Sequence, residues 1–502
     1  LGIQPLNIFS DNDVVLLATE LKAFPASGYV DVELDTVGWG AFVSLGFNIG
    51  DHTQLAGVRL VDAATVMVID AKTGSIDVNQ YWSLPKPRPE MTLEDVDIPE
   101  MLRILQREIE CYAEHSRQGT VLLSGGFDSR LILTLLKRIN IDCKAMTLEH
   151  PEFGFGIDGK IALRIAKKLN CHDVSRVYPS KNYYSSPEYL RYLVMEEVSI
   201  PSMLLYMSTN VSAALKPEMK AVWEGLGPGF AFAASYPIAG GFTPYLKDRC
   251  KERDSLHWQA VLSTFSPAMG QKMYEDFQQE LSSEMGKYTD DDFGTARFQM
   301  NTQMRRYLAP SPTTVYTNTV LPFTPGLSKD LWNLAGEIPL SVTSDMKLYL
   351  HLYKHYLPEA ITVPICSGGK LLSRKSFSPE LWLREHYNSL GHKCRYYWHR
   401  LPRVPVAGPL LEKWGLVSPS TRENNAMLDM VVSMVPPDHP DLNADAVRKM
   451  QQAVPPYSWE TRLGRRMLFY WQTWRWVMDG TLTTSNAESF LAQNMSREDV
   501  GN

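Results

Sequence analysis

The densest chemical signal in this 502-residue chain is the run Ser124-Gly125-Gly126-Phe127-Asp128-Ser129. It follows an apolar run, Val121-Leu122-Leu123, and leads straight into the helical pattern LILTLLKRIN. Glycines let a backbone approach a phosphate closely, and amides at the start of a helix supply donors and the positive end of a dipole. The hydroxyls of Ser124 and Ser129 add donors, and Asp128 can hold the magnesium that accompanies a triphosphate. GxxxxGK[ST] is absent, so this is not a Walker A loop. At background frequencies such a run arises by chance in roughly one chain per thousand of this length. Nucleotide binding through phosphates is the chemistry these residues predict.

Other constellations say less. His351 and His355 stand four apart on a predicted helix, a spacing that can bind zinc, but no glutamate follows His351 to make HExxH. Two partly exposed histidines are the better reading. The cysteines at 111, 143, 171, 250, 366 and 394 are scattered singly, which predicts reduced cytosolic thiols and a cytoplasmic protein. Neither GxSxG nor a Rossmann GxGxxG stands between a strand and a helix, and Gly154-Phe155-Gly156 is too short to supply one. Aromatic residues crowd a helix predicted at about 459–478, whose Arg462, Arg465 and Arg466 are expected on a solvated face.

The surrounding elements must position the loop. A helix predicted at about 99–117, the strand 121–123, the loop, a helix, a second strand at 143–147 and a helix at 159–169 alternate along the chain. That rhythm argues for a parallel sheet with crossover helices. Residues 1–85 read as mainly β, with short strands at 14–17, 30–34 and 66–69. Ser83 to Pro89 holds three prolines in seven residues and reads as a linker. Beyond about 255 the pattern is helical, with proline punctuation at 309–325 and 402–409. The composition is that of a globular protein of two to four domains, at 44% hydrophobic and 21% charged. A formal charge of −6 without long charge runs argues against a nucleic-acid partner. Apolar runs of about five residues fall far short of the roughly 20 that span a bilayer, so no membrane is expected. The chain opens at Leu1 without a basic, apolar leader, so no secretory signal is visible; a fragment or processed product is expected.

SGGFDS resembles the pyrophosphate-binding loop of the ATP-pyrophosphatases, which cleave ATP between the α and β phosphates. Its surroundings are similar to one branch, the asparagine synthetase family, which includes β-lactam synthetase and the lasso-peptide cyclases. Residues 2–24 resemble a late segment of that family's glutaminase domain, and Thr53 to Trp82 resemble its end. Asp158 with Ala162, Ile165 and Ala166 is similar to the DE-x-x-x-A helix; Leu321-Pro322-Phe323, Pro339 and Lys347-Leu348-Tyr349-Leu350 are similar to later PFLD, LP and KxLLR elements. The resemblance implies an α/β fold: a truncated, β-rich glutaminase-like layer of the N-terminal-nucleophile type (1–85), a linker (86–98), a parallel-sheet ATP-pyrophosphatase core (99–395) and a helical C-terminal region (396–502). It also implies an ATP- and magnesium-dependent, AMP-forming ligase joining a small-molecule or peptide carboxylate to an amine or ammonia. Whether it works with a partner protein or as a homo-oligomer stays open.

By the same resemblance, Leu122, Leu123 and Thr147 border adenine and ribose, while Ser124, Gly125, Gly126, Asp128, Ser129, Gly225 and Gly227 hold the phosphates. Asp128 is the metal ligand, and Asp158 and Glu224 touch substrate or adenylate; an N-cap role without a ligand is the alternative for Asp158. Three departures bear on activity. The nucleophilic cysteine that opens the family's glutaminase domain has no counterpart at Leu1, so either an upstream piece is lost or the half-domain is a structural remnant. In the segment that aligns with SGDGGD, Gly229 replaces the metal-binding aspartate. Where the family places its catalytic lysine stands Ile365, and Lys370 and Lys347 are the lysines expected to serve instead. The alternatives are a truncated glutamine-dependent asparagine synthetase and a non-catalytic nucleotide-binding homologue.

Overall fold

The computed structural model describes residues 2–116, 118–148, 155–178, 183–198, 211–233, 256–367, 370–371, 426–454 and 457–495. Cys250, Cys394, Gly154 and the prolines at 402–409 lie outside them. Near the N-terminus, β1 (Asn7–Ser10) pairs antiparallel with β2 (Val15–Ala18). Helix α1 (Thr36–Leu45) comes next, opened by the Asp35 carboxylate accepting from the Gly38 amide at 2.8 Å and closed by Gly46 in the left-handed region. The other edge of β1 takes β3 (Arg59–Leu60), and β4 (Thr65–Ile69) and β5 (Ile76–Gln80) form a separate hairpin.

The strand expected at 30–34 is absent. Val30 and Leu34 are buried, but the Glu33 amide turns back to the Asp31 carbonyl at 2.9 Å, and the one ladder contact of this stretch is the bridge from Leu34 to Leu55. The alternation is real; the Asp35 cap turns the chain into α1 before a strand can pair.

Helix α2 (Ile98–His115) starts at the Asp97 cap with Pro99 in its first turn, one residue before the expected start. Then β6 (Thr120–Leu122), α3 (Asp128–Arg138), β7 (Lys144–Leu148), α4 (Phe155–Lys168) and β8 (Val174–Val177) alternate as expected. Strand β9 (Ala221–Trp223) precedes helices α5 (Leu256–Thr264) and α6 (Pro267–Met285), and β10 (Leu321–Phe323) completes the sheet. The order is β10-β9-β6-β7-β8, parallel throughout. Side chains alternate across it. Ala145, Ala221 and Trp223 join one apolar cluster with α2, α3 and α4, while Met146 and Val222 join another with Tyr192, Val315 and Tyr316.

Helix α7 (Lys347–Tyr356) and the short pair β11 (Cys366–Ser367) and β12 (Lys370–Leu371) follow. Two C-terminal helices are α8 (Ala426–Ser433) and α9 (Trp459–Met478), the latter with the predicted bounds. They share one core with α1, α5 and α6: Trp39 meets Trp474 edge to face at 5.4 Å, and Phe42 meets Tyr470 at 5.6 Å. Arg465 is not on a solvated face. It is buried, donates to the Met450 carbonyl at 2.7 Å and pairs with Asp429, because this turn of α9 is covered by α8 and the helix Ala444–Gln451. No helix among the described residues is long and apolar enough to cross a membrane.

Candidate functional site

Strand β6 is where the sheet changes direction: β7 and β8 follow on one side, and β9 and β10 lie on the other. Such a switch point leaves a crevice beyond the carboxyl ends of the two central strands. Residues 124–129 leave β6 into this crevice, and Glu224-Gly225 leave β9 into it. The loop is tied internally. The Ser124 amide donates to Ser129 Oγ at 2.9 Å, the two serine hydroxyls lie 3.0 Å apart, and the Gly126 amide donates to Ser124 Oγ at 3.2 Å. Asp128 then opens α3.

Glycine is required opposite. A Cβ on Gly225 would stand 2.6 Å from the Ser129 amide nitrogen and 2.9 Å from its Cα. Two residues on, Gly227 holds φ at +107°, and a Cβ there would collide with the Gly326 carbonyl. Gly225 lets the β9 turn lie against the start of α3, and Gly227 lets it pass the Gly326 carbonyl.

Three partly buried carboxylates surround the loop. Burial raises Asp128 to about 6, against a hydrogen bond from the Tyr349 hydroxyl at 2.6 Å. Glu224 is pushed up to about 7, chiefly by burial and further by the charge of Asp128. Asp158, in the first turn of α4, is raised to about 6 by burial, which outweighs the Gly125 amide and the Arg130 charge that favour its carboxylate. Two facing acids with little water are a poor arrangement for a bare protein and a good one for a divalent cation.

The loop is also held from beneath. Arg130 is fully buried and donates to four carbonyls: Gly125 at 3.1 Å, Ala360 at 3.0 Å, Val363 at 2.8 Å and Pro364 at 2.7 Å. The Cys366 amide adds a bond to the Gly125 carbonyl at 3.0 Å. From the side, the Tyr349 ring stacks on Phe127 at 4.8 Å and on Phe232 at 5.3 Å, and Tyr353 donates to the Phe127 carbonyl at 2.6 Å. Helix α7, which carries both tyrosines, is entered through Asp345 and Met346 at φ 54° and 60°, an unfavourable backbone for such residues.

A glycine-rich loop, a helix start and two buried acids thus meet at the switch point of a parallel sheet, and one curated relative is similar to part of this chain. The glutamine-hydrolysing asparagine synthetase 1 of Bacillus subtilis is 25% identical over 182 residues, 36% of this chain. The chain resembles an asparagine synthetase. The match spans 28% of that relative's length, and no family profile matches the chain.

Of the residues singled out from the sequence, Ser124, Gly125, Gly126, Asp128, Ser129, Asp158, Glu224 and Gly225 gather around the loop, while Leu122 and Leu123 turn their side chains into the apolar clusters on the two faces of the sheet. Gly227 shapes the β9 turn. Thr147 sits one strand over, buried, with its hydroxyl unpartnered. Lys347 stands apart: it is exposed and donates to the Ser341 carbonyl at 3.3 Å. The backbone of Lys370 pairs with Ser367, next to the Cys366 that binds the loop, and its side chain lies outside the described residues. Asp158 is inside α4 and does not cap it. Ile365 is fully buried in the apolar cluster and brings no charge to the loop. His351 and His355 have ring centroids 4.3 Å apart, and no group of three metal-ligating side chains gathers among the described residues.

Sequence reasoning missed Tyr349, Tyr353 and Arg130. Each left a signal: two tyrosines four apart on one helix face, and an arginine inside the apolar run RLILTLL.

Proposed function

We propose that the chain binds magnesium-ATP at residues 124–129 and serves as an AMP-forming ligase. The observation that carries this is the convergence of the Ser124–Ser129 loop, Asp128 and Glu224 at the switch point of a parallel sheet. In this reading a carboxylate oxygen attacks the α-phosphate and the bond to pyrophosphate breaks, giving an acyl-adenylate. An amine then attacks the acyl carbon, AMP leaves, and the amine's proton goes to solvent. Loop amides and the Ser124 and Ser129 hydroxyls stabilise charge on the leaving pyrophosphate, each such bond contributing about 1.5–3 kcal/mol. Asp128 and Glu224 would hold magnesium, which neutralises phosphate charge when bound. Magnesium needs only one or two protein carboxylates beside the phosphates, and this pair meets that requirement. Thr147, with its unpartnered hydroxyl, faces the ribose side, and Leu122 and Leu123 border the base. Lys370 supplies the cation that Ile365 cannot. The domain reading (1–85, 86–98, 99–395, 396–502) accompanies this proposal. The test is exchange of labelled pyrophosphate into ATP across a panel of carboxylic acids. Acid-dependent exchange supports the ligase; none with any acid, in a chain that binds the nucleotide, contradicts it.

A second reading has its own support. Ile365 is sealed in the core and Gly229 stands where the resemblance places an aspartate, so a nucleotide-binding homologue without ligase chemistry would look the same at the loop. It predicts nucleotide binding without exchange.

A further inference from the structure

A second cavity, of about 100 Å³, lies away from the crevice, and none of its lining residues belongs to the loop site. It is walled by the N-terminal strands β1 and β3, by the acidic pair Glu196-Glu197 after the helix Pro187–Met195, and by Arg305 and Arg306. The two arginines sit on Met300–Leu308, a widened π-type helix, a feature frequent at functional sites.

Its polar atoms are unevenly satisfied. Arg305 donates to the Gly2 carbonyl at 2.8 Å and to the Val61 carbonyl. Arg306 donates to the His52 carbonyl at 2.7 Å and to the Gly50 carbonyl, but its Nε–H is buried without a partner. Asn48 is 9% exposed, and its Oδ1 is also buried without a partner. Among the acidic lining residues, Glu197 is engaged by the Leu21 amide at 2.9 Å and the Lys22 amide at 2.8 Å, and Glu196 accepts from the Tyr192 hydroxyl at 3.2 Å. An orphaned cationic donor and an orphaned acceptor thus line one small space whose walls carry both signs of charge. Leaving such atoms bare is costly, so the space calls for an occupant with an acceptor at one end and a donor at the other. Burial and the charge of Arg305 lower the Arg306 pKa to about 9, and an anion beside it would relieve both.

We infer that this cavity binds a small amino-acid zwitterion of glycine or alanine size, its carboxylate against Arg306 and its ammonium toward Asn48 and Glu196. A cavity of about 100 Å³ is smaller than the roughly 150 Å³ that holds benzene, so it admits only a few heavy atoms. The site is separate from the nucleotide reading and stands or falls without it.

The test is calorimetric titration of the intact chain with glycine, with acetate and methylamine as the two half-molecules. Glycine binding at millimolar concentrations, at least tenfold tighter than either half, is expected. Asn48→Leu fills the cavity and removes the acceptor; it should weaken glycine binding tenfold or more. If that variant fails to fold, Thr314→Met, which fills the cavity from another lining residue, replaces it with the same expectation. Absence of glycine binding, equal binding of acetate, or glycine binding untouched by the folded variant would each overturn the assignment, leaving a cavity filled by water or a simple anion.

Discussion

The Tyr349 hydroxyl donates to Asp128 Oδ1 at 2.6 Å while its ring is held between Phe127 and Phe232. Packing fixes the ring, so the hydroxyl is delivered to the carboxylate at no further cost in side-chain freedom. Burial pushes the phenol well above its ordinary pKa, so Tyr349 remains a donor.

Tyr349→Phe keeps the stacking and deletes the donor. At pH 8, where Asp128 is ionised, the loss is expected to cost about 2 kcal/mol; at pH 5, where it is protonated, about 1 kcal/mol. Urea unfolding at the two pH values measures this, and an unchanged midpoint at pH 8 would show that the bond contributes nothing.

The raised acids set a direction for the pH dependence. Glu224 titrates near 4.5 unfolded and about 7 folded, so the folded state holds its proton longer. Its contribution is fully present below pH 4.5, falls as pH rises through about 7, and stays lost above that. Glu224→Gln removes the penalty. The variant should match the parent near pH 4.5 and exceed it by roughly 1–3 kcal/mol at pH 8. A parent more stable than the variant at pH 8 would mean that Glu224 has a cationic partner.

Gly225→Ala places a methyl 2.6 Å from the Ser129 nitrogen. The turn after β9 and the start of α3 must then separate, which should destabilise the fold by about 2 kcal/mol or more and abolish nucleotide binding. Thermal unfolding and nucleotide titration check this together. A variant that melts and binds like the parent would remove the close approach from the account.

Arg130 supplies donors to four carbonyls from a fully buried position. Arg130→Met leaves those carbonyls without it and should cost about 3–5 kcal/mol in urea unfolding. Arg130→Lys, with one compact ammonium for a five-donor fork, should fall between. A fully stable methionine variant would show that the loop is held by other contacts.

Much of this site was readable from local pattern. Strand β6, the loop and α3 follow from an apolar run, a glycine pair and a helical periodicity within twenty residues. Helix α9 was legible because its aromatics crowd one uninterrupted stretch of twenty residues, and the structure adds the Ser458 cap. What was hidden depends on residues far apart in the chain. Tyr349 reaches Asp128 across 221 positions, and the Arg130 partners at 360–364 are set by the chain path and not by side-chain type. Lys347 was singled out on the same helix because it matches the lysine of the KxLLR element; helix phase turns it to solvent and Tyr349 to the loop. The alternating run at 30–34 misled because alternation reports which side chains are buried, not whether a neighbouring strand pairs with them.

The central claim is that residues 124–129 form a working magnesium-triphosphate cradle. Its most direct test is calorimetric titration of the intact chain with magnesium and α,β-methylene ATP, compared with Asp128→Asn. The account predicts binding that the substitution weakens tenfold or more, equivalent to about 1.4 kcal/mol. A folded chain that fails to bind, or binds equally well without the Asp128 carboxylate, would contradict it.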